Sequence, residues 1–149
     1  MTEILSEKES TDLRELFTET FADTNYFEFD KGIRQKTCFS DGEFYSACLW
    51  DFFKNPIKIS TTECMESVRN KLSPFYVMFD LHSADNIPAI RDSKYDNSRI
   101  IKMTFEDFIK ELDSFADDPY IFDETLEETI VFTHEYSDKG SRYCLKAKA

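Results

Sequence analysis

The sequence predicts an α+β fold: a single globular domain over residues 1–149, with amphipathic helices packed on a largely antiparallel sheet and a C-terminal hairpin. Three observations predict it. Segments with apolar residues at 3.6-residue spacing alternate with short runs of aromatic and β-branched residues. The 149 residues are 41% hydrophobic, with 15 Phe and 7 Tyr, which is enough apolar material for one core. Neither an internal repeat nor a linker of biased composition divides the chain.

Helix starts are marked by Ser or Thr followed three residues later by an acid, a pairing that caps the first exposed N–H groups. Ser6 with Glu9, Ser40 with Glu43, Ser60 with Glu63 and Thr104 with Asp107 have this form. In three of them an apolar residue before the cap has a partner inside the first turn: Phe39 with Phe44, Ile59 with Cys64, and Met103 with Phe108. The core faces that follow are Leu13, Leu16 and Phe17; Tyr45, Cys48, Leu49 and Phe52; Met65, Val68 and Leu72; and Phe105, Phe108, Ile109 and Leu112.

Strands are predicted at Tyr26–Phe29, Ile33–Phe39, Phe75–Leu81, Arg99–Met103, Tyr120–Phe122, Thr129–Tyr136 and Arg142–Ala147. Phe75–Leu81 is apolar on both faces and suits a central strand. The last two strands close a hairpin around Ser137–Gly140. Ile130, Phe132, His134 and Tyr136 share one face, and Val131, Thr133 and Glu135 share the other. Residues Ser83–Ser98 read as a long surface loop.

Composition narrows the function. Three Gly leave little room for phosphate-cradling loops, which argues against nucleotide-loop enzymes. The first residues lack an apolar segment of signal-peptide length, and the longest purely apolar run, Phe75–Phe79, is too short to span a bilayer, so a cytoplasmic protein with no membrane partner is expected. Cys38, Cys48, Cys64 and Cys144 form no C-x-x-C pair and read as reduced core thiols; no metal and no cofactor are expected.

The net charge of -12 repels phosphates, which argues against direct nucleic-acid binding. That charge is uneven: residues 1–30 carry nine acids against two bases, and residues 103–138 carry twelve against one. Between Glu111 and Glu128 there is no Lys, Arg or His. A solvated surface is one reading, and a docking face for a basic partner is the sharper one. Asp117, Asp118, Tyr120, Asp123, Glu124, Glu127 and Glu128 are the candidate partner-binding residues. The acidic first helix, with Glu7, Asp12, Glu15 and Glu19, is the rival face.

Catalytic signals are sparse. Asp80 and His82 would share one strand face as an acid/base pair, and Cys144 lies on the strand expected to pair with that of His134. A small hydrolase built on these residues is one alternative, and an acidic nucleic-acid mimic or adaptor binding a basic host protein is another. No nucleophile elbow and no catalytic residue is identified.

Tyr120-Ile-Phe-Asp123, Thr129-Ile-Val-Phe-Thr-His-Glu135 and Arg142-Tyr-Cys-Leu145 together resemble the ending of small bacterial proteins, some of them immunity partners of secreted toxins. Size, acidity and the missing catalytic motif resemble immunity proteins of contact-dependent growth inhibition systems. The resemblance implies a cytoplasmic, non-enzymatic antitoxin. Its partner would be a cognate basic toxin domain, a nuclease such as a tRNA-targeting one, joined in some systems by a third protein such as a translation factor.

Overall fold

Tyr120, Ile121 and Phe122 are buried at every position although their side chains alternate between the faces of a strand, so the sheet around them is covered on both sides. The computed structural model describes residues 2–83, 93–136 and 142–149, without the side chains of Tyr136 and Arg142. The strands are β1 (Glu3–Ile4), β2 (Thr37–Phe39), β3 (Gly42–Phe44), β4 (Ile57–Ile59), β5 (Phe75–Met78), β6 (Ile101–Met103), β7 (Tyr120–Phe122), β8 (Glu128–Tyr136) and β9 (Arg142–Lys148). Seven form one sheet in the order β1-β6-β5-β7-β8-β9-β4, every neighbouring pair antiparallel, while β2 and β3 form a separate hairpin. The helices are α1 (Glu7–Phe21), α2 (Phe27–Phe29), α3 (Thr61–Arg69) and α4 (Phe105–Glu111). The result is an α+β domain in which helices pack against an antiparallel sheet.

One face of the sheet packs Met78, Tyr120, Phe122 and Val131 against Phe17 and Phe21 of α1 and against Leu49, Phe52 and Phe53. The other packs Phe75, Val77, Ile121, Ile130 and Phe132 against Cys64 and Val68 of α3 and Phe108 of α4. Alternation along β5 and β7 sends neighbouring residues to opposite cores, which is why both strands read as continuously apolar.

Three caps form as read. Ser6 and Glu9 satisfy each other's backbone N–H groups, Ser60 accepts from Glu63 N, and Thr104 accepts from Asp107 N. The fourth differs. Ser40 and Asp41 turn between β2 and β3, and Gly42 sits at φ 134°, outside any helix. Phe39 and Phe44 do meet, with ring centroids 6.4 Å apart, but across a hairpin. The helix expected through Tyr45–Phe52 shrinks to a 3₁₀ turn at Leu49–Phe52.

Of Tyr26–Phe29, expected as a strand, Phe27–Phe29 is helical, as α2 runs into a π-helical turn over Asp30–Arg34, and Ile33–Phe39 keeps only β2 as strand. On α1 the buried stripe is Ser10, Arg14, Phe17 and Phe21, while Leu16 is exposed. Arg14 takes that place because its guanidinium donates to the carbonyls of Phe79 (2.6 Å) and Asn97 (3.3 Å). Ile109 and Leu72 are exposed as well, Leu72 because α3 has already ended. Most of the predicted long loop and the 137–140 turn lie outside the described residues; of the loop's described end, Tyr95 and Asn97 are buried. Among the described residues no helix is long and apolar enough to cross a membrane.

Candidate functional site

The acidic segment does not form one surface. Asp117, Asp118 and Tyr120 lie at the start of β7, whereas Asp123, Glu124, Glu127 and Glu128 follow its end, about 10 Å away along the strand. Asp118 and Tyr120 are fully buried and Asp123 is 7% exposed, so these three are not docking residues of an exposed face. Asp117 and Glu128 are half-buried, and Glu124 and Glu127 are exposed. Glu128 is paired with Lys71 (3.1 Å) and Lys146 (3.5 Å), which cancels its charge locally.

The physical reason is that carboxylates also bind backbone N–H groups. Asp123 Oδ1 accepts from Thr125 N (3.0 Å) and Thr125 Oγ1 (2.5 Å), and Oδ2 accepts from Leu72 N (3.0 Å). Burial pushes the Asp123 carboxyl upward, but the Thr125 and Leu72 donors and the nearby Lys71 outweigh it and hold it below its ordinary value.

The rival face keeps its charge outside. Glu7, Glu9, Asp12, Glu15 and Glu19 are all exposed on α1; its bases are the buried Arg14 and Lys8, which pairs with Asp12 at 2.8 Å. Glu7, Glu15 and Glu19 share the lining of a groove of about 430 Å³ with Phe29, Ile33 and Tyr45 and with the bases Arg14, Arg34 and Lys36. Just beyond α1, Tyr26 is 46% and Phe27 75% exposed.

A second constellation forms where strands end. Met78 pairs with Tyr120 and Tyr120 with Val131, so the residues just past these positions converge: Asp80 and His82 after β5, Asp118 before β7, and His134 within β8. Cys48 enters from the 3₁₀ turn. Asp80 accepts from Leu49 N (3.0 Å) and from the Tyr120 hydroxyl (2.8 Å), which in turn accepts from Trp50 N (2.9 Å). Burial pushes the Asp80 carboxyl up to about 6 against the pull of His82, Leu49 N–H and the Tyr120 hydroxyl. Burial also raises the Tyr120 hydroxyl well above its ordinary value, and Asp80 adds to it. His82 Nε2 lies 3.0 Å from the Ala47 carbonyl oxygen and 3.9 Å from Cys48 Sγ.

Asp118 sits at φ 61°, a left-handed conformation that Asp tolerates better than most residues. Its Oδ1 accepts from His134 N (2.6 Å), and its Oδ2 lies 2.9 Å from His134 Nδ1 and 3.8 Å from Cys48 Sγ. Burial pulls the His134 imidazole down, but the hydrogen bond and charge of Asp118 outweigh it and raise the net value. Burial first, then Asp80, Asp118 and Asp51, push the Cys48 thiol far up, which disfavours the thiolate that a nucleophile needs.

The expected acid/base pair is therefore real as a juxtaposition, but Asp80 is occupied with backbone and tyrosine donors. Cys144 is not beside His134: it is buried with Phe132 in the α3-side core, whereas the His134 ring lies 6.0 Å from that of Trp50, which packs on the α1-side core. The register shift between Phe132 and Tyr136 breaks the alternation that would have kept His134 with Phe132. Sequence reading treats Cys48 as a core thiol and does not bring it or Trp50 to this site. The only signal for them was their position after a Gly-containing turn, which argued against the helix assigned there.

No protein-family model matches the chain, and neither does a curated protein or a solved structure.

Proposed function

We propose that this chain is an immunity protein that acts in the cytoplasm, a stoichiometric inhibitor of a basic, nuclease-type toxin domain, and that it docks through the outer face of α1 and the groove beside it. The observation that carries the reading is the set of five exposed carboxylates on α1, against which the helix exposes one base. A nuclease domain is basic because it holds phosphates, and carboxylates placed along its cleft occupy the positions phosphates would take. Opposite fields speed encounter, while the exposed Phe27 and Tyr26 offer the aromatic anchors from which interfaces draw affinity.

The test is to mix the purified chain with the basic nuclease domain encoded beside its gene. A 1:1 complex that blocks nucleic-acid cleavage and restores growth of toxin-expressing cells is expected. Absence of a complex at micromolar concentrations rejects the role. Reversing Glu15 and Glu19 together to Lys is expected to slow association at low salt by ~10-fold or more and to flatten its salt dependence. Unchanged kinetics in a complex that still forms would reject the face and keep the role.

A further inference from the structure

We propose that Cys48, Asp118 and His134 form a binding site for one divalent transition-metal ion of the zinc class. One donor atom from each residue lies within 4.8 Å of the others, and two separations are resolved more finely: 3.8 Å from Cys48 Sγ to Asp118 Oδ2, and 2.9 Å from Asp118 Oδ2 to His134 Nδ1. Zinc bond lengths of about 2.0–2.3 Å at tetrahedral angles place donor atoms about 3.2–3.6 Å apart, so the two finer separations need shifts of only tenths of an ångström and the third pair closes from within 4.8 Å. Sulfur, imidazole nitrogen and carboxylate oxygen together suit zinc better than calcium or magnesium, which take oxygen ligands.

A second triple, Cys48 with Asp80 and His82, has similar spacing but not the same freedom. Both Asp80 oxygens already accept strong hydrogen bonds, His82 Nε2 is engaged with the Ala47 carbonyl, and all three residues are buried. In the proposed site the His134 side chain is 45% exposed, which gives an ion a way in and leaves a coordination position facing solvent.

Charge balance favours a cation here. Asp118 is fully buried, and among the described residues its ion-pair partner is His134 at 2.9 Å, with no Lys or Arg, so the metal would take over the pairing that a protonated His134 supplies. A doubly charged ion bound by the carboxylate, the Cys48 thiolate and a neutral imidazole leaves the site uncharged. On binding, the thiol proton and the His134 Nδ1 proton that faces Asp118 both pass to solvent, and His134 keeps its other proton on Nε2, freeing Nδ1 for the metal. Trp50 stands beside this position, and its Nε1 is the single buried side-chain polar atom without a partner among the described residues.

The experiment is titration of the metal-free full-length chain with Zn²⁺ against a chromophoric chelator, and with Co²⁺ by absorption. One Zn²⁺ per chain and a thiolate-to-cobalt charge-transfer band are expected. Cys48→Ser should abolish the band, and His134→Ala, at a half-exposed position that perturbs folding little, should weaken Zn²⁺ binding by ~100-fold or more. Cys38→Ser, at an exposed thiol away from the site, should leave both readouts unchanged. Absence of saturable binding, a cobalt spectrum without the thiolate band, or affinity unaltered in His134→Ala would overturn the assignment, the last deciding even where Cys48→Ser fails to fold. Metal binding without toxin binding would leave this site standing and reject only the docking role.

Discussion

Asp123 was read from its acidic neighbourhood as a surface charge, yet its carboxylate ties the turn after β7 to the end of α3. Because its folded pKa is lowered, its contribution to stability is fully present above the ordinary carboxylate value and is lost as pH falls through the folded one. Asp123→Ala is therefore expected to cost about 2 kcal/mol near neutral pH, and the gap to the parent should close in acid. Urea unfolding at a series of pH values measures it, and a gap independent of pH would refute the account. Tyr120 poses a similar question. Its hydroxyl donates to Asp80 and accepts from Trp50 N, so Tyr120→Phe leaves two inward-facing groups without that partner and should cost about 2 kcal/mol, read as a fall in urea midpoint with unchanged slope. Beyond the local Thr125 contact neither long-range partner is legible in the sequence, because Asp123 to Leu72 and Tyr120 to Asp80 span 51 and 40 residues.

Among the elements, α1 is anchored by a reciprocal cap, with Ser6 Oγ accepting from Glu9 N at 3.1 Å and Glu9 Oε1 accepting from Ser6 N at 3.2 Å. Ser6→Ala is expected to cost about 1 kcal/mol and to lower the melting temperature by about 2–4 °C. An unchanged melting temperature in calorimetry would contradict the cap's role. The β2–β3 hairpin shows why the sequence misled. A cap signal and an apolar staple at Ser40–Phe44 coincide with a turn whose Gly42 adopts φ 134°, and the two phenylalanines touch in either arrangement. Gly42→Ala forces a side chain into that backbone conformation with its Cβ 3.4 Å from the Phe44 ring, and should loosen the hairpin. Hydrogen exchange of residues 37–44 reads this, and protection equal to the parent would count against it. The edge strands β1 and β4, two and three residues long, were invisible because they exist only through pairing with β6 and β9.

Over the whole molecule, charge sits differently from its order along the chain. The 103–138 segment holds more acids than α1, but burial, backbone donors and lysine partners absorb several of them, while those of α1 stay outside. Phe27→Ala, at 75% exposure, is expected to leave the melting temperature within about 1 °C and to weaken the proposed complex at least ~10-fold through faster dissociation. A large drop in melting temperature would show that the ring supports the fold instead. The sequence by itself determined the α+β class, three helix caps and the strands from Phe75 onward, because each rests on contacts within a few residues or on an apolar period that any fold must bury. The tertiary structure alone decided which carboxylates reach solvent and that Cys48, Asp118 and His134 meet. Those outcomes depend on which strand ends lie side by side and on one register shift in β8, and neither leaves a trace in local sequence.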